Sequence, residues 1–537
     1  MVEFEFSVHL TLKSFLSCNL QVFTGTKNRT YFWYDLSVSN LLYKHTILYK
    51  LYLQYILNVS LSKYLLKVTK YNTLQTRNLH IYRDFSPLTP YIRILVSMKK
   101  RILGFLFLAI CLKPDSSFGQ RFLMDLVDTT NTMGKGMLSI YERYNRVRIS
   151  GYIQPQFQFI AAKGAESFAG GNFSEFTNNR FMLRRGRLRV DYAHLNEKGE
   201  PTSYFVFQFD GTERGVAIRD FWGRFYENKF KIFALTTGMF ARPFGYEVNL
   251  SSANRETPER GRMSQILMRT ERDIGVMLTL NKRFANGKTS DFKLDIGVFN
   301  GQGMSGPMDY DSHKDVIAKI SIKPQRLIPA SRALVSAGIS GYAGGITSQS
   351  DVLYKVEKKS DVHVMTRDST EGNFGKTAPR NYAGADIQII FPNKQGQTEF
   401  RAEYIKGKQT ATALSSETPG IYPISNGIKS PLYIRSFDGA YFYFLQNLNS
   451  LDHQFVLKYD WYDPNKKVAG KEVAATNGFS KGDLRYNTLG MGYVYRANES
   501  LKFMFYYEIV KNEISSLNGF TSDADDDVFT CRVQYNF

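Results

Sequence analysis

The 537-residue sequence predicts an all-β fold, a transmembrane antiparallel β-barrel of about sixteen strands. Three observations carry the prediction. Aromatic residues are 15% of the chain, mostly Phe (41) and Tyr (34), yet the mean hydropathy is −0.30, because they are dispersed among polar residues. About sixteen stretches of roughly ten residues alternate apolar and polar with period two, and no long helical pattern intervenes. The last of these stretches ends on an aromatic, Phe537.

The alternation is clearest in five places. In 203–211, Phe205, Phe207 and Phe209 share one face, opposite Gln208 and Asp210. In 398–404, Phe400, Ala402 and Tyr404 alternate with Glu399, Arg401 and Glu403. In 454–462, Phe455, Leu457, Tyr459 and Trp461 oppose Gln454, Lys458 and Asp460. In 501–509, Phe503, Phe505 and Tyr507 oppose Lys502, Tyr506 and Glu508. The final stretch points Phe529, Cys531, Val533, Tyr535 and Phe537 outward, with Thr530, Arg532 and Gln534 inward. At bilayer depth every backbone polar group must be paired, so such a sheet has to close on itself. One face of each strand then meets lipid and the other meets water. A soluble sandwich also alternates, but it seldom reaches sixteen strands and has no need of a terminal aromatic strand.

The connections sort by length. Short links such as 281–287 and 497–500 read as periplasmic turns. Long links rich in Ser, Thr, Gly and Lys, 344–379 and 406–430, read as extracellular loops. Asp523, Asp525, Asp526 and Asp527 form an acidic loop cluster, read as a solvated loop rather than a weak cation site.

The first 97 residues have a different composition, with no alanine and a single glycine, Gly25. Met98-Lys99-Lys100-Arg101, the apolar run 102–112 and Ser117-Phe118-Gly119 then form the three parts of a secretory signal peptide, cleaved after Gly119. A signal peptide works at an N-terminus, so translation is expected to start at Met98, with 1–97 as non-native upstream sequence. A native first residue near Gln120 would agree with this. The expected organisation is 98–119 signal peptide, 120–147 periplasmic segment and 148–537 barrel.

The formal charge is +20. Of this, 1–97 holds +7 (11 basic, 4 acidic side chains) and 98–119 holds +3, leaving +10 on the mature chain. No basic run with interleaved aromatics is present, so no nucleic-acid partner is expected. On a barrel the excess sits either at a lumen that attracts anions or on loops that meet lipopolysaccharide phosphates. Cys18, Cys111 and Cys531 match no metal or redox spacing, and the seven histidines pair with no Ser or Cys. No enzyme, cofactor or metal site is expected.

Two stretches are candidate sites. Arg185, Arg187 and Arg189 alternate with Gly186, Leu188 and Val190, so their guanidiniums stack on one strand face. Facing lipid, each would cost about 2–4 kcal/mol near the midplane, so they face the lumen, a partner or the interface. In the lumen they present forks to anion oxygens, or they pair with Asp191, Asp210, Asp220 or glutamates. The second stretch follows Phe240–Gly245 and is rich in charge: Arg242, Arg255, Glu256, Glu259, Arg260, Arg262, Arg269 and Arg272. It either folds inward as a constriction loop or stays a solvated outer loop. Asn300-Gly301-Gln302-Gly303 is a turn and opens no helix, which excludes a phosphate loop.

The run Arg185-Gly-Arg-Leu-Arg189, then 205–210, then Gly238-Met-Phe-Ala-Arg-Pro-Phe-Gly245 with Ser251-Ser252 and Glu259-Arg260 behind it, resembles the phosphate-selective porin O and P family. Arg272 before Gly275, and Gly297-Val-Phe-Asn-Gly301, extend the likeness over 148–537. The resemblance implies a sixteen-stranded homotrimeric channel in the bacterial outer membrane. It implies selection of small anions, phosphate or polyphosphate among them, by lumenal arginines and a lysine-lined mouth. Arg185, Arg187 and Arg189 fit the arginines by position; the outer loops hold no motif matching the lysines. The alternatives are a general or differently selective channel, and a structural or adhesin barrel without selective transport. Single-channel conductance discriminates among them.

Overall fold

The computed structural model describes residues 146–284, 289–304, 306, 308–326 and 332–537. The expected upstream segment 1–97, the signal peptide 98–119 and all but the last two residues of the periplasmic segment 120–147 lie outside the described residues.

Sixteen strands form one closed antiparallel sheet. They are β1 (Val147–Ile160), β2 (Asn179–Leu195), β3 (Pro201–Thr212), β4 (Gly215–Tyr226), β5 (Phe233–Ala241), β6 (Arg272–Leu280), β7 (Phe292–Phe299) and β8 (Asp315–Gln325). There follow β9 (Leu334–Thr347), β10 (Thr377–Asn393), β11 (Gly396–Ala411), β12 (Leu432–Asn447), β13 (His453–Asp463), β14 (Tyr486–Arg496), β15 (Leu501–Asn512) and β16 (Val528–Asn536). Each strand pairs with its neighbours in sequence, and β1 pairs with both β2 and β16, which closes the ring. Closure leaves no edge in the apolar phase. The seam is finished by Phe537, whose backbone exchanges two 3.0 Å hydrogen bonds with Gly151. The Phe537 ring lies on Gly151, where a Cβ would collide with it.

The alternation read from the sequence is the one observed. Along β16, Thr530, Arg532 and Gln534 are buried, while Phe529, Cys531, Val533 and Tyr535 are more exposed. On β1, Tyr152, Gln154, Gln156 and Gln158 point in, and Ile149, Ile153 and Phe159 point out. The described chain ends, 281–284, 289–291 and 497–500 share one end of the barrel, which short periplasmic turns mark as the periplasmic end. Two long loops are shorter than expected. Strands β9 and β10 run to Thr347 and from Thr377, and β11 runs to Ala411, because Gly, Ala and Thr continue a strand without the aromatic rows that make alternation legible.

The loop 348–376 carries its own hairpin, Leu353–Lys359 paired with Val362–Asp368. Its turn residues Ser360 and Asp361 both have positive φ (46° and 70°), the geometry of a two-residue hairpin turn. Val356 and Met365 of this hairpin pack with Val468, Val473, Phe479, Leu484 and Leu517 of the next long loops into a small apolar core at the mouth.

Candidate functional site: the lumen and its inward loop

The 30-residue connection between β5 and β6, 242–271, folds into the barrel. Its entry is set by Phe244 and Gly245. Phe244 is fully buried, with its ring edge-on to Tyr342 and Tyr382 (centroids 6.1 and 5.9 Å) on the inner wall. Gly245 has φ +62° and lies against the Glu403 carboxylate, where a Cβ would collide. Glu403 then accepts the backbone N–H groups of Tyr246 and Glu247 (both 3.2 Å) and the Tyr441 hydroxyl (2.7 Å).

From there the loop is tied to the wall by its acids. Glu247 accepts from Tyr443 (2.6 Å), Ser264 (2.6 Å), Lys458 (3.1 Å) and the Gly261 N–H (3.0 Å). Burial opposes its ionisation, but Lys458, Ser264, Tyr443 and Gly261 outweigh it and lower its pKa to about 2. Glu256 takes a two-point grip from Arg401 (2.8 and 3.0 Å). Glu259 receives Arg185 (2.6 Å), Arg184 (2.9 Å) and Arg532 (2.9 Å). Those three guanidiniums overcome burial and hold Glu259 well below the usual carboxylate range. Ser252 meets the Tyr152 hydroxyl (2.6 Å) and Arg187 (2.7 Å). The loop therefore touches β1, β2, β11, β12, β13 and β16, and crosses the lumen.

The predicted ladder sits on the inner face of β2. Arg185 holds Glu259, Arg187 holds Asp210 (3.0 Å) and Arg189 holds Asp191 (2.7 Å). Of the predicted loop arginines, Arg255, Arg260 and Arg262 lie in the lumen. Arg260 pairs with Glu271 and donates to the Glu247 carbonyl (2.9 Å). Arg262 opens the short helix α1 (Arg262–Leu267) and lies over the rings of Tyr486 (3.6 Å) and Phe168 (4.4 Å). Arg242 and Arg272 fasten the two ends of the loop, to the Thr270 carbonyl and to Asp220 (3.1 Å). Arg269 instead points out of the lumen to Glu417 (3.2 Å) in the loop 412–431.

Arg255 differs from the rest. It is 2% exposed, and none of its three guanidinium nitrogens has a hydrogen-bond partner among the described residues. Burial lowers its pKa to about 10, with Arg185 acting in the same direction and Glu259 and Glu247 against. Its own carbonyl and that of Ala253 take the ammonium of Lys502, 3.3 and 2.6 Å away.

Sequence reasoning did not single out Arg184, Arg532 and Lys502. The inward faces of β15 and β16 announce Lys502 and Arg532 by alternation. Arg184 breaks the alternation: a register shift opposite Gln154/Pro155 leaves it unpaired in the ladder and turns it inward beside Arg185.

No protein-family model matches the chain, and none of the curated proteins matches it. Solved structures similar to it include an anion-selective porin from Comamonas acidovorans (9% identity, TM-score 0.43, 73% of this chain and 99% of that one). The outer membrane channel DcaP of Acinetobacter baumannii is another (13%, 0.43, 73% and 97%), as is OprB of Pseudomonas putida (8%, 0.48, 76% and 98%). The sixteen-stranded closure, the apolar outer face and the polar inner face with an inward-folded loop define an outer-membrane β-barrel of porin architecture. A wet inner face and an apolar outer face are those of a barrel that spans a membrane.

Proposed function

We propose that this chain is a porin for passive diffusion of small solutes that favours small anions, phosphate or polyphosphate among them, in keeping with its resemblance to the phosphate-selective porin O and P family. The observation that carries the reading is Arg255: a buried guanidinium without a hydrogen-bond partner among the described residues, on the loop that crosses the lumen, beside Arg185 and Lys502. Its charge acts on the lumen through the low-dielectric loop rather than by contact, and raises the local concentration of anions. The ladder of Arg185, Arg187 and Arg189 supplies fixed positive charge behind it. We further propose a homotrimer, with the short strands β5–β7 (8–9 residues) at the subunit contact and the aromatic outer rows against lipid and lipopolysaccharide.

The test is the reversal potential of single channels in planar bilayers under a KCl gradient. Anion preference is expected, with a clear fall in the anion-to-cation permeability ratio in Arg255→Met. Cation preference in the native protein would overturn the reading. A structural barrel is the second reading, favoured by the carboxylate that each ladder arginine already holds; the absence of any conductance would select it.

A further inference from the structure

The inward loop is gripped from the extracellular side as well as from the wall. The loop 161–178 reaches over α1: the Gln265 side-chain amide donates to the Phe168 carbonyl (2.9 Å), and the Phe168 ring lies on the Arg262 guanidinium (4.4 Å). Tyr486, at the start of β14, lies on the same guanidinium (3.6 Å). The loop 513–527 adds Asp526 to this grip. Among these parts is a cavity of ≈ 20 Å³, lined by Asp460 of β13, Glu508 of β15, Thr488, Arg262 and Asp526. It has room for a water molecule and for no solute, so the groups around it have little solvent to screen them.

The charges of this pocket do not balance. Asp460 is 3% exposed and Asp526 8% exposed, and the Oδ1 atom of each lacks a hydrogen-bond partner among the described residues. Asp460 lies against the start of α1, where a Cβ on Gly261 would stand 3.3 Å from its carboxyl carbon. Lys458 is divided between Asp460 (3.4 Å) and Glu247 (3.1 Å). The other charged neighbours are committed elsewhere: Arg260 to Glu271, Lys511 to Asp523, and Glu166 of the loop 161–178 to Lys481. Arg262 makes no ion pair with a carboxylate among the described residues; the two rings hold it instead. Three carboxylates thus face one guanidinium and a share of one ammonium. Burial raises the pKa of Asp526 from 3.8 to about 6 over the opposing pull of Arg262, and Asp523 and Asp527 add to the rise.

We propose that this pocket is a pH-sensitive latch on the inward loop: with Asp526 neutral, α1 is held tightly beneath the loops 161–178 and 513–527, and with Asp526 ionised the hold weakens, because a further negative charge is buried among like charges. The sign follows from where the proton is bound. The docked state keeps the Asp526 proton up to about pH 6, whereas in an undocked loop an ordinary aspartate is half-protonated only at 3.8. Docking therefore strengthens as pH falls through about 6 and gains nothing more below 3.8. Between pH 7.5 and 5 the gain is about ten-fold in the docking equilibrium. Glu247 works in the opposite sense, as an anion that docking needs, but it stays ionised down to about pH 2. Mild acid thus tightens the latch without loosening that anchor.

The test is hydrogen exchange of the full chain in detergent micelles at pH 7.5 and 5, read by mass spectrometry over 261–268 and 165–170. Each rate is expressed as protection relative to the intrinsic exchange rate at that pH. Wild-type protection in both segments is expected to be about ten-fold higher at pH 5. Asp526→Asn keeps the shape and stays neutral, so it should show the pH 5 level of protection at both values. Protection of the strands β13–β16 reports whether the variant barrel is folded; Asp526→Ser removes the same charge and replaces Asp526→Asn if that variant does not fold. Equal wild-type protection at the two pH values, protection that falls on acidification, or an unchanged pH response in the Asp526 variant would each overturn the latch. Exchange reads the loop and not the current. A conducting, anion-selective protein without this pH response rejects the latch alone; a non-conducting one rejects the channel whatever the amides do.

Discussion

Glu259→Gln is the sharpest test of how the loop is held. The substitution keeps the shape of the side chain and removes the charge that three guanidiniums share at 2.6–2.9 Å, at a site where the Glu259 side chain is 3% exposed. Removing one partner from a buried ionic network costs about 3–5 kcal/mol, because the remaining charges stay buried and uncompensated. At 1.4 kcal/mol per factor of ten, the docked loop loses roughly 10² to 10³ or more in its equilibrium against an undocked state. Glu256–Arg401 and Glu247–Lys458 still hold the other side. The barrel wall is independent of these contacts, being a closed hydrogen-bonded ring. The expected result in planar bilayers is a larger and noisier unit conductance, shifted further toward anions by the added positive charge, with the heat-modifiable gel mobility of the folded barrel retained. Conductance, noise and protease sensitivity of 242–271 all equal to wild type would refute the claim that Glu259 docks the loop.

Gly245→Ala forces a Cβ into the Glu403 carboxylate at a φ of +62°, so it should free the start of the loop and raise current noise while the barrel still folds. Met365→Ala empties part of the apolar core at the mouth and should cost the loops about 2–5 kcal/mol, read as faster proteolysis at 353–368 with the barrel strands protected. Glu247 has its pKa lowered from 4.5 to about 2, so its contribution to loop docking is complete above 4.5 and lost as pH falls through about 2. The part of loop docking that depends on Glu247, read as the difference in protease sensitivity of 242–271 between wild type and Glu247→Gln, should therefore be steady above about 4.5 and vanish only below it; a difference that vanishes near pH 6 would contradict the assignment.

The barrel was legible because its physics is local. Phe205, Phe207 and Phe209, or Phe529 through Tyr535, announce two environments at a spacing that only a strand reproduces, and closure follows from the bilayer rather than from any one residue. The inward loop was legible as a charged stretch, but its direction was not. Whether Arg255, Arg260 and Arg262 meet water or the lumen depends on what the far wall offers, and Arg401, Lys458 and Arg532 lie 139 or more residues away in sequence. Arg269, in the same stretch with the same chemistry, faces the mouth. Arg184 was hidden by a bulge that shifts the period by one residue, which no alternation rule anticipates. Asp526 was hidden differently: it read as part of a solvated cluster. In the structure Asp527 accepts the Val510 N–H (3.0 Å) and Asp523 accepts the Asn512 N–H (3.1 Å), while Asp526 between them is buried and lines a small cavity with Asp460 and Glu508.

These pairings move the centre of the selectivity argument from the wall to the loop. The wall cations Arg184, Arg185 and Arg532 share Glu259 of the loop, Arg401 and Lys458 pair with its Glu256 and Glu247, and Arg187 and Arg189 pair with aspartates of the wall. Cations already matched in this way hold the loop in place. The loop's own Arg255 is left over among the described residues, and no hydrogen bond or ion pair offsets the cost of its burial. Two consequences of opposite sign follow for Arg255→Met. Stability should rise, by about 1 kcal/mol or more, because a well-packed apolar chain replaces an uncompensated buried charge. Anion preference should fall, because a positive charge that no carboxylate cancels has gone. Arg185→Met should do the reverse for stability, leaving Glu259 with one guanidinium fewer. A residue retained against stability marks a place where function sets the sequence. The check is the apparent melting temperature and the reversal potential measured on the same two variants. If Arg255→Met melts lower than wild type, Arg255 has a structural partner and the anion argument loses its main support.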